Sequence, residues 1–139
     1  MEKQRIRKIL VPLDGSKNSQ RGLESAIHLA KEHEASLTAI HVIHKIHGVK
    51  GRKVLESEEE IPPQFILLAK KLASKNGIPF YTRILTGDPG HEITNYANIH
   101  SMDLIVIGAR GLSSFKKLFL GSVSSYVMHT TKTAVMVIK

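Results

Sequence analysis

Short, wholly apolar runs alternate with amphipathic segments along this chain, and that alternation restricts the fold more than any other feature. Ile9-Leu10-Val11 and Leu104-Ile105-Val106-Ile107 are too short for helices and carry no polar face. Such runs suit central strands of a parallel sheet, buried on both sides. Helical signals lie between them. Asp14-Gly15-Ser16 marks a turn and a helix start, after which Leu23, Ala26, Ile27 and Ala30 recur at i, i+3, i+4 and i+7. Ser36 to Ile43 reads as a second strand. Phe65, Leu68, Ala69 and Leu72 repeat the helical spacing, and Asn76-Gly77 supplies a stop.

The second half continues the rhythm. Pro79 to Leu85 reads as a third strand and Thr86-Gly87-Asp88-Pro89 as a turn. Asp88 is placed to cap a helix with Pro89 at its first position, where a missing N–H costs nothing. Ile93, Tyr96 and Ala97 face one way on that helix. A strand at 103–107, a helix from about Ser122 to Thr130 and a last strand from Ala134 to Ile138 complete five strands and four helices. Strands separated by helices pair in parallel through right-handed crossovers, giving a three-layer α/β sandwich. One stretch departs from the pattern. Residues 44–60 switch from basic (Lys45, Lys50, Arg52, Lys53) to acidic (Glu56, Glu58, Glu59, Glu60) around Gly48 and Gly51, and read as a long flexible connection inside a single domain, 1–139.

Composition narrows the function classes. No apolar run is long enough to cross a bilayer, and no signal-peptide core follows Met1 to Arg5. The chain has no cysteine, which excludes disulfides and thiolate metal sites. The expectation is a soluble, cytoplasmic protein. Net charge is +8, yet aromatics make up only 5% and no nucleic-acid-binding motif is present, so nucleic acid is not the expected partner. Charge distribution is more telling. Residues 104–139 hold Arg110, Lys116, Lys117, Lys132 and Lys139 and no Asp or Glu. This is either a solvated basic face or a field for an anion.

The same region carries spaced glycines: Gly108-Ala-Arg-Gly111, nine residues from Leu112 to Leu120, then Gly121-Ser122. Glycines between a strand and a helix allow close backbone approach to a ligand, and a helix start offers free N–H groups to phosphate. In open parallel sheets ligands bind beyond the C-terminal strand ends, where the topology reverses. Asp14 at the end of the first strand and Gly108 at the end of the fourth border one crevice if those strands are neighbours. Asp14 could equally be a turn or capping residue. There is no G-x-x-x-x-G-K-[ST], no G-x-G-x-x-G after the first strand and no G-x-S-x-G elbow. His41, His44 and His47 invite a metal reading, but strand positions three apart face opposite ways. His91 and His100 read as surface or capping residues.

Ile9-Leu10-Val11-Pro12-Leu13-Asp14-Gly15-Ser16, His41-Val42, Asp103 to Gly108 and the Gly108-x2-Gly111-x9-Gly121-Ser122 motif resemble the universal stress protein family over essentially the whole chain, in its ATP-binding branch. The resemblance implies a Rossmann-like sheet of order 3-2-1-4-5, of the adenine nucleotide alpha-hydrolase-like kind, and a homodimer. It also implies a site. Asp14 would contact ribose, Pro12 would shape the adenine pocket and Val42 would meet adenine through its backbone. Ile107 and Gly108 would line the pocket. Arg110, Gly111, Gly121, Ser122 and Val123 would surround the phosphates, largely through main-chain N–H groups, with Ser124 as an additional hydroxyl.

Magnesium or manganese would be held mainly by the ATP phosphates. Relatives often carry proline before the last strand, where this chain has Ala134. The strand Val135 to Ile138 is apolar on both faces, and as an edge it would be covered by pairing with its copy across a two-fold axis. No base is evident to activate water, so no catalytic residue is expected and at most weak ATPase activity. The expectation is an ATP-binding regulatory module acting on a protein partner that the sequence does not identify. A slow ATP hydrolase and a nucleotide-independent dimeric scaffold are the alternatives.

Overall fold

A computed structural model describes residues 5–44, 61–110 and 121–139. Among these, the chain runs β1 (Lys8–Pro12), α1 (Lys17–His33), β2 (Ser36–His44), α2 (Gln64–Lys75), β3 (Phe80–Gly87), α3 (Pro89–Ile99), β4 (Leu104–Gly108), α4 (Ser122–Thr130) and β5 (Ala134–Ile138). Residues 45–60 of the expected connection lie outside the described residues. No described helix is long and apolar enough to cross a membrane.

All neighbouring strands pair in parallel, in the order β3-β2-β1-β4-β5. The alternation of Cβ directions along each strand then divides the core in two. Ile9, Val11, Leu37, Ala39, Leu104 and Val106 meet α1 and α2 on one face. Leu10, Ile40, Ile105 and Ile107 meet Ile93 and Ala97 of α3 and Val127 of α4 on the other. The wholly apolar runs of β1 and β4 thus have a helix layer on each side.

Local chemistry accounts for the helix starts. Ser16 caps α1, its hydroxyl accepting the Ser19 N–H, and Asp88 caps α3 by accepting the His91 N–H, with Pro89 following. Asn76 ends α2, and Gly77 takes the left-handed conformation (φ 67°) that favours glycine.

Three expected details differ. β3 runs two residues further than Leu85, because it pairs residue for residue with β2 from Leu37↔Phe80 to His44↔Gly87. Thr86-Gly87 therefore belongs to the sheet. Asp103 stands outside β4, its carboxylate accepting the Arg7 and Lys8 N–H groups at 2.9 Å each. In α2 the inward stripe is Ile66, Ala69 and Ala73, while Leu68 (53% exposed) and Leu72 (36%) face outward. Five consecutive apolar residues, Phe65 to Ala69, fit either stripe, and packing against β2 and β3 selects the one with the smaller alanines.

Candidate functional site

β1 and β4 are sequence-distant neighbours at the centre of the sheet, where the chain order reverses. β1 pairs with β2 along its whole length, from Lys8↔Ser36 to Pro12↔Ile40. Toward β4 the register holds only Ile9↔Leu104 and Leu10↔Ile105. Beyond these pairs the two strands are unpaired toward their C-terminal ends, which opens a crevice at the position where doubly wound sheets bind ligands.

Pro12, Val42 and Ile107 follow Leu10, Ile40 and Ile105 by two residues each, so all three side chains lie on the α3–α4 face at this end of the sheet. Pro12 and Ile107 are buried and Val42 is half-buried. Together they form an apolar wall. Asp14 stands two residues past the end of β1, partly buried. Its Oδ1 accepts the Ser16 N–H at 2.9 Å, so the carboxylate is held by the turn that starts α1. The turn role weighed for Asp14 is realised, and it fixes the carboxylate at the mouth of the crevice.

Gly15 closes this turn in the left-handed region (φ 85°), and a Cβ there would stand 3.1 Å from the Phe65 ring. His41 lies edge-on to the same ring, with centroids 5.0 Å apart. Its Nδ1 stands 2.9 Å from the Leu13 carbonyl. A carbonyl only accepts, so Nδ1 carries the proton. His41 thereby ties β2 to the segment leading into Asp14, a role its position in sequence did not reveal. Among the described residues no three His, Cys, Asp or Glu side chains stand close enough to hold a metal ion.

The far side of the crevice is the exit of β4. Ala109 is held twice: its N–H donates to Ile138 at 2.7 Å, and its carbonyl accepts both the Gly121 N–H at 2.6 Å and the Ser124 hydroxyl at 2.8 Å. The chain entering α4 is thus tied to the chain leaving β4. Gly111 and the rest of the intervening segment lie outside the described residues. Ser124 is 2% exposed, and among the described residues its hydroxyl reaches the main-chain carbonyls of Ala109 and Gly121.

Two groups at the exit of β4 are engaged by the first turn of α1. The Arg110 N–H is not available to phosphate, because it donates to Asn18 Oδ1 at 2.7 Å. Gly108 is required by packing: a Cβ would stand 2.8 Å from Asn18 Oδ1 and 3.0 Å from the Asn18 backbone, so the first turn of α1 lies flush on the end of β4. Asn18 was not among the candidate residues, and a bond spanning 92 residues leaves no local trace in a sequence.

α4 begins at Gly121 with no side-chain cap. Its first intrahelical bond runs from the Ser125 N–H to the Gly121 carbonyl. The Ser122, Val123 and Ser124 N–H groups therefore have no acceptor within the helix, and they carry the positive end of its dipole. Ser122 is exposed and Val123 half-buried against the α3–α4 core. An apolar wall, a fixed carboxylate and a helix start thus follow the C-terminal ends of the central strands, a set suited to a ligand with a flat apolar part and an anionic part.

The match to known proteins is broad. The model of the universal stress protein family covers residues 5–139. Universal stress protein YxiE of Bacillus subtilis is 34% identical over 95% of this chain and 98% of its own length. A solved structure of universal stress protein UspA from Lactobacillus plantarum superposes with a TM-score of 0.88 at 30% identity, covering 99% of this chain and all of that one. Two more distant structures share the fold. One is a universal stress protein in complex with cAMP (24% identity, TM-score 0.74, 97% and 98% coverage), the other an Archaeoglobus fulgidus protein in complex with dAMP (23%, 0.71, 96% and 98%). With its whole sheet and all four described helices matched, this chain belongs to the universal stress protein family.

Proposed function

We propose that the crevice between β1 and β4 binds ATP and that the protein acts as a nucleotide-responsive module in the stress response. The observation that carries this reading is the break in the β1–β4 ladder beyond Leu10 and Ile105, together with a helix start whose first three N–H groups have no acceptor within the helix. Pro12, Val42 and Ile107 supply the wall for adenine. Asp14, held by Ser16, meets the ribose hydroxyls. Phosphates meet the N–H groups of Ser122, Val123 and Ser124 at the dipole end of α4, a kind of anion site that needs no lysine cradle. Arg110 contributes through its guanidinium, since its N–H is committed to Asn18. Gly121 keeps the approach to this helix start free of a side chain, and Gly111 and Gly108 flank the strand exit.

Magnesium or manganese is coordinated through the phosphates, with few protein ligands. The complexes of related proteins with cAMP and dAMP support an adenine nucleotide as the class of ligand. Among the described residues no base stands at the start of α4 to activate water, so the reading is retention of nucleotide and a changed surface for a protein partner. β5 is an edge strand with Met136 exposed, and we assign it to a homodimer contact with its copy. The test is mass spectrometry of the supernatant after denaturing the purified protein. Release of adenine nucleotide supports the reading. Absence of any nucleotide both from the purified protein and after incubation with ATP and magnesium overturns it.

A further inference from the structure

We propose that Asn18 is a positioning residue that sets Arg110 for contact with the nucleotide phosphates. The proposal rests on the nucleotide reading above and adds to it a residue outside the glycine motif. Asn18 is the second residue of α1, two positions beyond the Ser16 cap, and it is half-buried. Its Oδ1 takes the Arg110 N–H at 2.7 Å across 92 residues of sequence. That donor fixes the amide orientation, because Oδ1 is the side chain's acceptor.

The contact is not isolated. Gly108 lies so close to Asn18 that a Cβ would meet its carbonyl carbon and oxygen at 3.0 Å, and a Cβ on Gly22 would stand 3.5 Å from the Gly108 N. The end of β4 is therefore clamped sideways against α1 by two glycines, and the Asn18 amide continues the clamp one residue past the strand. Arg110 is the basic side chain at the exit of β4. Its Cα–Cβ direction follows from where its backbone is held. With the Ala109 N–H anchored on Ile138 and the Arg110 N–H on Asn18, the backbone from which the Arg110 side chain leaves is held at two consecutive residues. Asn18 thus acts on the phosphates through Arg110, and adenine and ribose, gathered by Pro12, Val42 and Asp14, lie outside its influence.

This gives a signature that a general loss of stability does not. Asn18→Ala should weaken ATP binding about tenfold, the scale of one net hydrogen bond, and leave adenosine binding unchanged. In an Arg110→Ala background the same change should have no further effect on ATP, because the group it positions is gone. Amide hydrogen exchange of the ligand-free protein reads the pin directly: the Arg110 N–H should be protected in the native chain and in Asn18→Asp, whose carboxylate accepts the same bond. It should exchange freely in Asn18→Ala. Asn18→Ser, suited to a helix first turn but too short to reach Arg110, should match alanine and serves if the alanine variant folds poorly. Native affinity for ATP in Asn18→Ala, equal loss of adenosine and ATP, or additive losses with Arg110→Ala would each overturn the proposal. If the native protein binds neither ligand, the nucleotide reading falls and this proposal with it. If it binds ATP and the variants do too, only the role of Asn18 falls.

Discussion

The Ser124 hydroxyl donates to the Ala109 carbonyl at 2.8 Å, joining the first turn of α4 to the residue that leaves β4 fifteen positions earlier. The bond is buried and its acceptor also takes the Gly121 N–H. The Ser124 hydroxyl is part of the frame that holds the helix start in place. Ser124→Ala should therefore lower stability by about 1 kcal/mol in chemical denaturation, since Ala109 retains its other donor. Unchanged stability would show that the tie is dispensable.

The glycines flanking the strand exit should respond differently to substitution. At Gly108 a Cβ meets the Asn18 backbone at 3.0 Å, so Gly108→Ala should destabilise the fold by about 1–3 kcal/mol through overpacking. Gly121 has φ −63° and ψ 160°, extended backbone open to any residue. Gly121→Val should keep the native melting temperature within a few degrees while abolishing ATP binding, as read by thermal denaturation beside calorimetry. Equal destabilisation by the two changes would contradict this division between packing and ligand approach.

Much of the fold was legible in the sequence because its signals are local. The runs Ile9 to Val11 and Leu104 to Ile107 are double-sided strands, and Asp88-Pro89 is a helix start whatever surrounds it. The stripe Leu23, Ala26, Ile27, Ala30 is buried as its spacing indicates. α2 was less legible because its apolar residues outnumber one face, and only the partner sheet decides that Leu68 and Leu72 turn outward. Asp14 and the spaced glycines pointed to the ends of β1 and β4, which are neighbours in the sheet. What could not be read were the contacts that depend on register: the Arg110 N–H on Asn18, the His41 ring on Leu13 and the Ser124 hydroxyl on Ala109. Each joins residues on separate elements, and none has a sequence period.

Thr94 offers a test of the helix layer away from the site. It is buried in α3, and its Oγ1 has no hydrogen-bond partner among the described residues. Replacing the hydroxyl by a methyl of similar shape removes an unsatisfied polar group, and threonine and valine differ little in helix propensity. Thr94→Val should stabilise the protein by about 1 kcal/mol in urea denaturation. Destabilisation would mean that the hydroxyl has a partner in solution.

The assignment of β5 to a dimer contact predicts that the protein sediments as a dimer at micromolar concentration. Met136, 38% exposed in the middle of this edge strand, is the residue to change. Met136→Lys places a charge in the interface and should shift the species to monomer without unfolding it. A native protein that sediments only as monomer contradicts the assignment.

The central claim is that the crevice between Pro12 and Asp14 of the first strand end and the uncapped start of α4 holds a nucleotide. Isothermal titration of the purified, nucleotide-free protein with ATP and magnesium tests it most directly. Saturable binding of one ATP per chain, lost in Gly121→Val, is the expected result. A folded protein that gives no binding isotherm with ATP would contradict it.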